Sequence, residues 1–431
     1  MTDNVSAGDN GKASSHIFWA SYFGWLLDGY DTTIYAFVLV GALTALGISG
    51  ITNISHFGLM FFAIFLTGWG TSFIFGPLAD KIGRMNMLGL SILLYAIGTF
   101  FSGLSFNLVE FAIARFIAGL GLGGEWFLGG TSVSETFPEG KRQIMAGRFH
   151  SGWYLGFIVA AVTTPILLLF TNFRVIFMIG IIPAALLGYI RIKTKEPEVW
   201  KMKKDKHPDK MNMMLSLKTI FSKQYRRTTI ILVLVMIPVV TGLYGGTLFA
   251  PTAIINMSHN FKGGLAFPWN VVLGGTIISF TTLVFCILMP YMVRSIGRKA
   301  TLTFFMIFMI LGLVIDYGFI YSTNNLSLFL PLLALLGIGG ADFSVFSLWV
   351  PEIYPTEARA GGFGIITTVA RYVGAGLVFL IAYLAAVLNN LGYALAFASI
   401  AFVIGIIVLQ FVHEDRNKEL DRSVDLAPTS E

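Results

Sequence analysis

Gly76-Pro-Leu-Ala-Asp80-Lys-Ile-Gly83-Arg84 returns later in the chain as Pro290-Tyr-Met-Val-Arg294-Ser-Ile-Gly297-Arg298-Lys299, with Gly83 and Gly297 lying 214 residues apart. Each copy closes one apolar run and opens the next. A second motif does the same: Glu135-x-x-Pro138-x-x-x-Arg142 recurs as Glu352-x-x-Pro355-x-x-x-Arg359, 217 residues from Glu135 to Glu352. Two different motifs repeating at nearly one spacing mean two related halves. Many secondary transporters are built this way, with solute bound at midplane between the halves.

The runs around these motifs determine the fold class. Of the 431 residues, 55% are hydrophobic and 12% charged, against about 25% charged in soluble domains. The mean hydropathy is +0.76. Such a composition cannot cover a solvated surface, whereas runs of about 20 apolar residues cross the roughly 30 Å of bilayer hydrocarbon as helices. Lipid-exposed backbone must satisfy its own hydrogen bonds, so an all-α membrane protein is expected.

Twelve transmembrane helices are read at about 17–41, 54–78, 85–104, 107–132, 149–171, 174–191, 228–256, 270–293, 300–322, 326–350, 362–388 and 391–412. The expected organisation is a cytoplasmic N-terminus over 1–16, a six-helix half over 17–191, a basic cytoplasmic linker over 192–227, a second six-helix half over 228–412 and a cytoplasmic tail over 413–431. The linker carries Lys201, Lys203, Lys204, Lys206, Lys210, Lys218, Lys223 and Arg226 and is too polar to insert. On its side of the membrane lie Lys81, Arg84, Lys141, Arg142, Arg294, Arg298, Lys299 and Arg359, whereas the opposite links carry little beyond Arg174 and Lys262. The positive-inside rule then puts both termini in the cytoplasm of a multi-pass plasma-membrane protein.

Other function classes find no support in the residues. The net charge of +6 is spread over loops rather than along a stripe with interleaved aromatics, so no nucleic-acid partner is expected. The single cysteine, Cys286, rules out a disulfide framework. No histidine pair has metal-ligand spacing, no Gly-x-Ser-x-Gly elbow occurs, and Gly119-Leu-Gly121-Leu-Gly123-Gly124 has no preceding strand or following Lys-Ser. Those glycines read as close helix packing. No enzyme activity, cofactor or metal is expected; the partners are a small solute, protons and lipid. Helices of this type need no second subunit to enclose a cavity, in keeping with a monomer.

At the two repeated motifs the sequence resembles the major facilitator superfamily, from about Trp19 to Val412. The resemblance implies a cytoplasmic latch built on Gly76, Asp80, Gly83 and Arg84, which would pair with groups such as Glu135 and Arg142 and release as the transporter turns inward. The second copy contributes Arg294, Gly297, Arg298, Glu352 and Arg359, with Arg294 where the family usually has Asp. Gly29-Tyr30-Asp31-Thr32 and the Arg115–Arg142 stretch look like the sugar porters. Leu27-Asp28-Gly29-Tyr30-Asp31, Gly121-Leu-Gly123-Gly124-Glu125-Trp126 and Glu196-Pro-Glu198-Val-Trp200 look more like the organic-acid, aromatic-acid and sialate proton symporters. His413-Glu-Asp-Arg stands where sugar porters tend to carry Pro-Glu-x-x-Gly. The expected function is proton-coupled symport of a small organic acid by alternating access. The alternatives are sugar or polyol symport, or a non-transporting sensor or passive facilitator on the same fold.

Charges inside the membrane are the candidate working groups, because each costs at least about 2.5–3.5 kcal/mol to insert. By helix rise Asp31 lies about 14 residues, roughly 21 Å, from the inner end of its helix, and Arg115 about 8 residues, roughly 12 Å, from the outer end of its own. These depths coincide, and the family resemblance likewise implies a coupling pair of a first-helix acid and a fourth-helix Arg. Asp28 lies one turn from Asp31 on the same face, and two such carboxylates disfavour joint ionisation, as a proton carrier requires. A static helix tie is the alternative. Glu125 and Asp342 each precede the repeated glutamate by ten residues. They read as pseudo-symmetric acids on the pathway, unless Glu125 merely balances Arg148 or Lys141.

Arg371 is the candidate fork for a solute carboxylate, unless Asp342 already pairs with it. Tyr244, in the glycine-flanked stretch Gly242-Leu-Tyr244-Gly245-Gly246, and Trp153 complete the candidate solute contacts. Glu110 and Asp316 fall near helix ends, where they are expected to snorkel to water.

Overall fold

The computed structural model describes residues 3–48, 51–182, 194–206, 212–247, 249–257, 269–412 and 414. Among them every regular element is helical. The first half comprises α1 (Asp3–Ala45), α2 (Ile51–Thr71, continuing through a 3-10 turn at Ser72–Ile74 into Phe75–Ile82), α3 (Arg84–Leu104), α4 (Leu108–Thr136), α5 (Glu139–Leu168) and α6 (Phe173–Ile179). Two short helices follow, α7 (Glu198–Lys206) and α8 (Met213–Ile220). The second half comprises α9 (Arg226–Thr241, then a π turn at Gly242–Thr247 and Ala250–Met257), α10 (Trp269–Ile296), α11 (Arg298–Gly312, a π turn at Leu313–Ile320, then Tyr321–Thr323) and α12 (Leu326–Gly339 and Asp342–Ile353). It ends with α13 (Arg359–Leu388) and α14 (Leu391–Phe397 and Ser399–Leu409).

Ten of the described helices are long and apolar enough to cross a membrane. The first and sixth expected spans are not among them. α1 carries Asp28 and Asp31 amid polar side chains and is already helical from Asp3. Half of the sixth expected span, with the 191/192 boundary, falls in 183–193, outside the described residues, as do 413 and 415–431 of the expected tail.

The repeated motif ends and restarts helices for a backbone reason. Gly83 and Gly297 have φ of +123° and +90°, in the left-handed region where a side chain is strained, and each serves as C-cap of one helix and N-cap of the next. The glycines of α4 serve packing, as expected: a Cβ on Gly119 would overlap the Phe65 carbonyl of α2, and one on Gly121 the backbone of Tyr95 in α3. The halves meet where α5 packs on α10 and where α13 packs on the Phe75–Ile82 end of α2.

Candidate functional site

Three carboxyl groups meet inside the first half. Asp28 and Asp31 on α1 and Glu125 on α4 are 0%, 2% and 1% exposed, and the oxygens of Asp28 and Glu125 have no hydrogen-bond partner among the described residues. Glu125 and Asp31 are the charges acting on Asp28, and all three carboxyls act on the buried Tyr95 hydroxyl. Glu125 does not balance Arg148 or Lys141, both of which are exposed. It lies over Gly24 of α1, where a Cβ would collide with its carboxylate.

Arg115 is the cation nearest Asp31, but the direct ion pair is replaced by hydroxyl groups. Its Nε donates to Ser102 Oγ at 2.9 Å and its Nη2 to Thr99 Oγ1 at 3.2 Å. Its guanidinium lies over the rings of Phe177 at 4.9 Å and Tyr35 at 5.4 Å. Thr99 also faces Asp31. The two groups therefore attract through space across a shared hydroxyl, since polar α3 residues already satisfy the guanidinium.

Between the halves lies an aromatic box around Arg371. Trp25 and Trp153 pack at 4.5 Å between ring centroids, Trp69 and Trp153 at 6.0 Å, and Trp25 and Trp126 at 6.2 Å. Arg371, 4% exposed on α13, has its guanidinium carbon 4.5 Å from the Trp69 ring centroid and 5.1 Å from that of Trp126. Tyr244, in the α9 π turn, is its electrostatic neighbour. The Arg371 guanidinium and the Tyr244 hydroxyl face each other, and the Trp25 and Trp69 indole N–H groups lack a hydrogen-bond partner among the described residues. Two buried indole N–H groups and the Arg371–Tyr244 pair thus retain donor capacity. Trp126 spends its own N–H across the halves on Ser347 Oγ at 2.7 Å, and that hydroxyl lies 3.4 Å from His150 Nδ1.

Asp342 does not neutralise Arg371. One of its oxygens accepts from the Phe343 N–H at 2.8 Å and the other has no partner; its electrostatic neighbours are Tyr154 and Cys286. The structural salt bridge offered as the alternative for Arg371 is therefore not formed. Asp316 departs from expectation too: it is 0% exposed and does not reach water.

The face bearing α7 and α8 is clamped shut by buried ion pairs. Arg84 pairs with Asp80 at 3.0 Å and with Glu135 at 3.1 Å, and Glu135 also takes Arg359 of the other half at 2.9 Å. Arg142 does not join Asp80: it crosses to Glu352 at 3.5 Å, and Arg298 meets the same carboxylate at 2.5 Å. Asp80 instead accepts from the Gly361 N–H at 3.0 Å and from Ser216 Oγ of α8 at 2.8 Å. A Cβ on Gly76 would overlap the Ala360 carbonyl, so this glycine permits the same close approach. Arg294, lacking the family's carboxylate, bonds Gln143 at 3.0 Å and the Gly140 carbonyl.

Sequence reasoning missed two sets of residues. Trp25 and Trp69 form half of the box, although Trp25 stands one helical turn before Asp28 and so shares its face. Glu196 and Glu414 form a third repeat, 218 residues apart. Glu196 accepts from the N–H groups of Arg84, Met85 and Asn86 at 2.7–3.2 Å, and Glu414 from those of Arg298 and Lys299 at 2.6 and 3.3 Å. Each caps the helix that its glycine opens, where a negative charge is favoured. Burial pushes the Glu196 carboxyl up from its ordinary value, against the pull of those N–H groups and of Arg84.

Comparison with known proteins agrees with this architecture. The Major Facilitator Superfamily model matches residues 21–377. The chain is 27% identical over 401 residues to a sialic acid transporter of Escherichia coli, covering 90% of this chain and 92% of the relative. It is 26% identical over 406 residues to a cis,cis-muconate transport protein of Acinetobacter baylyi, covering 92% and 94%. Among solved structures it superimposes on a proton:xylose symporter with a TM-score of 0.77 over 95% of this chain and 98% of that one, at 18% identity, a likeness of fold alone. Duplicated halves, paired latches and a central cluster of side chains drawn from both halves thus converge with the family match on one assignment, and the chain is a member of the major facilitator superfamily.

Proposed function

We propose that the protein is a proton-coupled symporter of a small organic acid, working by alternating access across the cell membrane with both termini and the linker face in the cytoplasm. The observation that carries this is the buried Arg371 guanidinium, held between Trp69 and Trp126 beside the Tyr244 hydroxyl, with no carboxylate partner among the described residues. A cation so placed is costly until an anion arrives, and a solute carboxylate supplies the missing charge in the bidentate geometry a guanidinium favours. The open donors of Trp25, Trp69 and Tyr244 would take its remaining oxygens. The relatives named for sialic acid and muconate transport support an acid over a neutral sugar.

Asp28, Asp31 and Glu125 are the proton-handling groups in this reading. Three neighbouring buried carboxyls, of which only Asp31 lies beside a guanidinium, cannot all stay ionised, so the cluster exchanges protons when the site opens to water. The pairs that clamp the linker face hold the outward-facing state, and their release gives the inward-facing one.

The test is uptake into proteoliposomes of labelled cis,cis-muconate, sialic acid and other small carboxylates, with xylose as the neutral comparison, with and without an inward proton gradient. Accumulation of a carboxylate only with the gradient, lost in Asp31→Asn while exchange persists, is the expected result. Movement of xylose alone, or uptake indifferent to the gradient, refutes the reading.

A further inference from the structure

One buried charge has no part in the mechanism above. Asp316 lies in the π turn Leu313–Ile320 of α11, wholly buried, with neither oxygen hydrogen-bonded. Among the described residues its surroundings hold no counter-ion. The Leu326–Gly339 part of α12 and the Leu391–Phe397 part of α14 pack against this turn, and neither contains a Lys, Arg, Asp or Glu. The π turn of α9, joined to it through Tyr317, contains none either. The titratable groups on these elements are Tyr317 and Tyr321 beside it, Tyr393 of α14 and Tyr244 of α9. Arg298 and Lys299, on the same helix, are about 25 Å away by helix rise.

A carboxylate in that setting is shielded from solvent and, among the described residues, has neither a donor nor a cation to offset its charge. The neutral acid is the form compatible with the packing. The backbone around it is unusual in a matching way. Tyr317 donates its hydroxyl to the Gly246 carbonyl at 2.5 Å, so a π turn in α11 is bonded to a π turn in α9. π turns in membrane helices occur frequently at functional positions. The α9 turn also carries Tyr244, the neighbour of Arg371, so a change of charge at Asp316 is one hydrogen bond removed from the turn that borders the anchor. Asp316 stands about 10 Å from the outer end of its helix, on the opposite side of the protein from the clamped face.

We propose that Asp316 is a second proton-binding site, in the second half and separate from the Asp28–Asp31–Glu125 cluster. It rests on the reading above only in taking the proton as the coupling ion, and its test does not depend on transport. Infrared spectra of the purified full-length protein would be recorded at neutral pH for the wild type, Asp316→Asn, Asp316→Glu and Asp31→Asn. A protonated-carboxyl C=O absorption present in the wild type, lost in Asp316→Asn, kept in Asp31→Asn and returned at a shifted frequency in Asp316→Glu is the expected result. Superimposable spectra of the wild type and Asp316→Asn overturn the proposal. A lost absorption together with uptake that ignores a proton gradient leaves the site standing and refutes the coupling reading instead.

Discussion

Replacing Arg359 by Gln isolates the cross-half part of the latch. Arg359 gives its Nη1 to Glu135 at 2.9 Å, and both side chains are buried. Glu135 stays paired with Arg84 of its own half when that bond is lost, so no carboxylate is orphaned. The loss is then that of one hydrogen bond between charged groups, about 1.5–3 kcal/mol. By contrast, Glu135→Gln would leave Arg84 on Asp80 but strand the Arg359 guanidinium, at about 3–5 kcal/mol, and endanger folding as well. In the alternating-access reading the Arg359 bond exists only while the linker face is closed, and its loss then raises the opening constant by roughly 10- to 150-fold. Spin labels on cysteines at the exposed positions Lys141 and Ser295, at the ends of α5 and α10, report the separation of the halves by pulsed dipolar spectroscopy; the native Cys286 is buried and stays unlabelled. A long-distance population that grows at least tenfold relative to the wild type is expected. An unchanged distance distribution in Arg359→Gln would show that the clamp does not set the conformational balance.

Four further outcomes follow from the geometry. Arg371→Gln should weaken binding of the transported carboxylate by about 2–5 kcal/mol, and Arg371→Lys should fail to restore it, because an ammonium lacks the planar fork that stacks between two indoles; equilibrium binding measures both. Gly83→Ala and Gly297→Ala should each cost about 1–2 kcal/mol through their positive φ, read as a lower melting temperature in detergent. Glu125→Gln should abolish gradient-driven accumulation while leaving exchange of labelled solute, because it removes one of the three clustered carboxyls without changing side-chain size. Glu196→Gln should lose about 0.3–1 kcal/mol of charge–helix attraction, visible as faster hydrogen exchange at Arg84, Met85 and Asn86 with the α11 cap unaffected.

Much of the architecture was legible because membrane insertion makes composition decisive. Runs of apolar residues and the one-sided Lys and Arg pattern required no packing information, and the paired Ile-Gly-Arg motifs marked the duplication through a backbone constraint. The depth of a charge was legible too, since helix rise is constant: Asp31 and Arg115 do sit close enough to interact. Rotation about the helix axis was the harder quantity. Helix rise could not show that Thr99 and Ser102 of α3 stand beside Arg115, or that Glu125 turns towards Asp28 and Gly24 rather than towards Lys141. Asp316 failed for a related reason. A π turn changes the number of residues per turn, so a regular wheel drawn through Leu313–Ile320 misplaces the side chains beyond it. The aromatic box was invisible because its members come from α1, α2, α4, α5 and α13, and no single helix shows more than two of them.

The helix caps formed by Glu196 and Glu414 also bear on how the halves can turn. Each carboxylate grips the third helix of its own six, so the end of each bundle is hooped back onto its middle, and neither hoop spans the seam between bundles. A rotation of one half against the other leaves both hoops unstretched and loads the clamp residues, the Ser216 strut of α8, which bears on Asp80, and the Trp126–Ser347 and Tyr154–Gly340 bonds. Torque applied at the solute cavity would then be delivered to the seam instead of being lost in loosening either bundle.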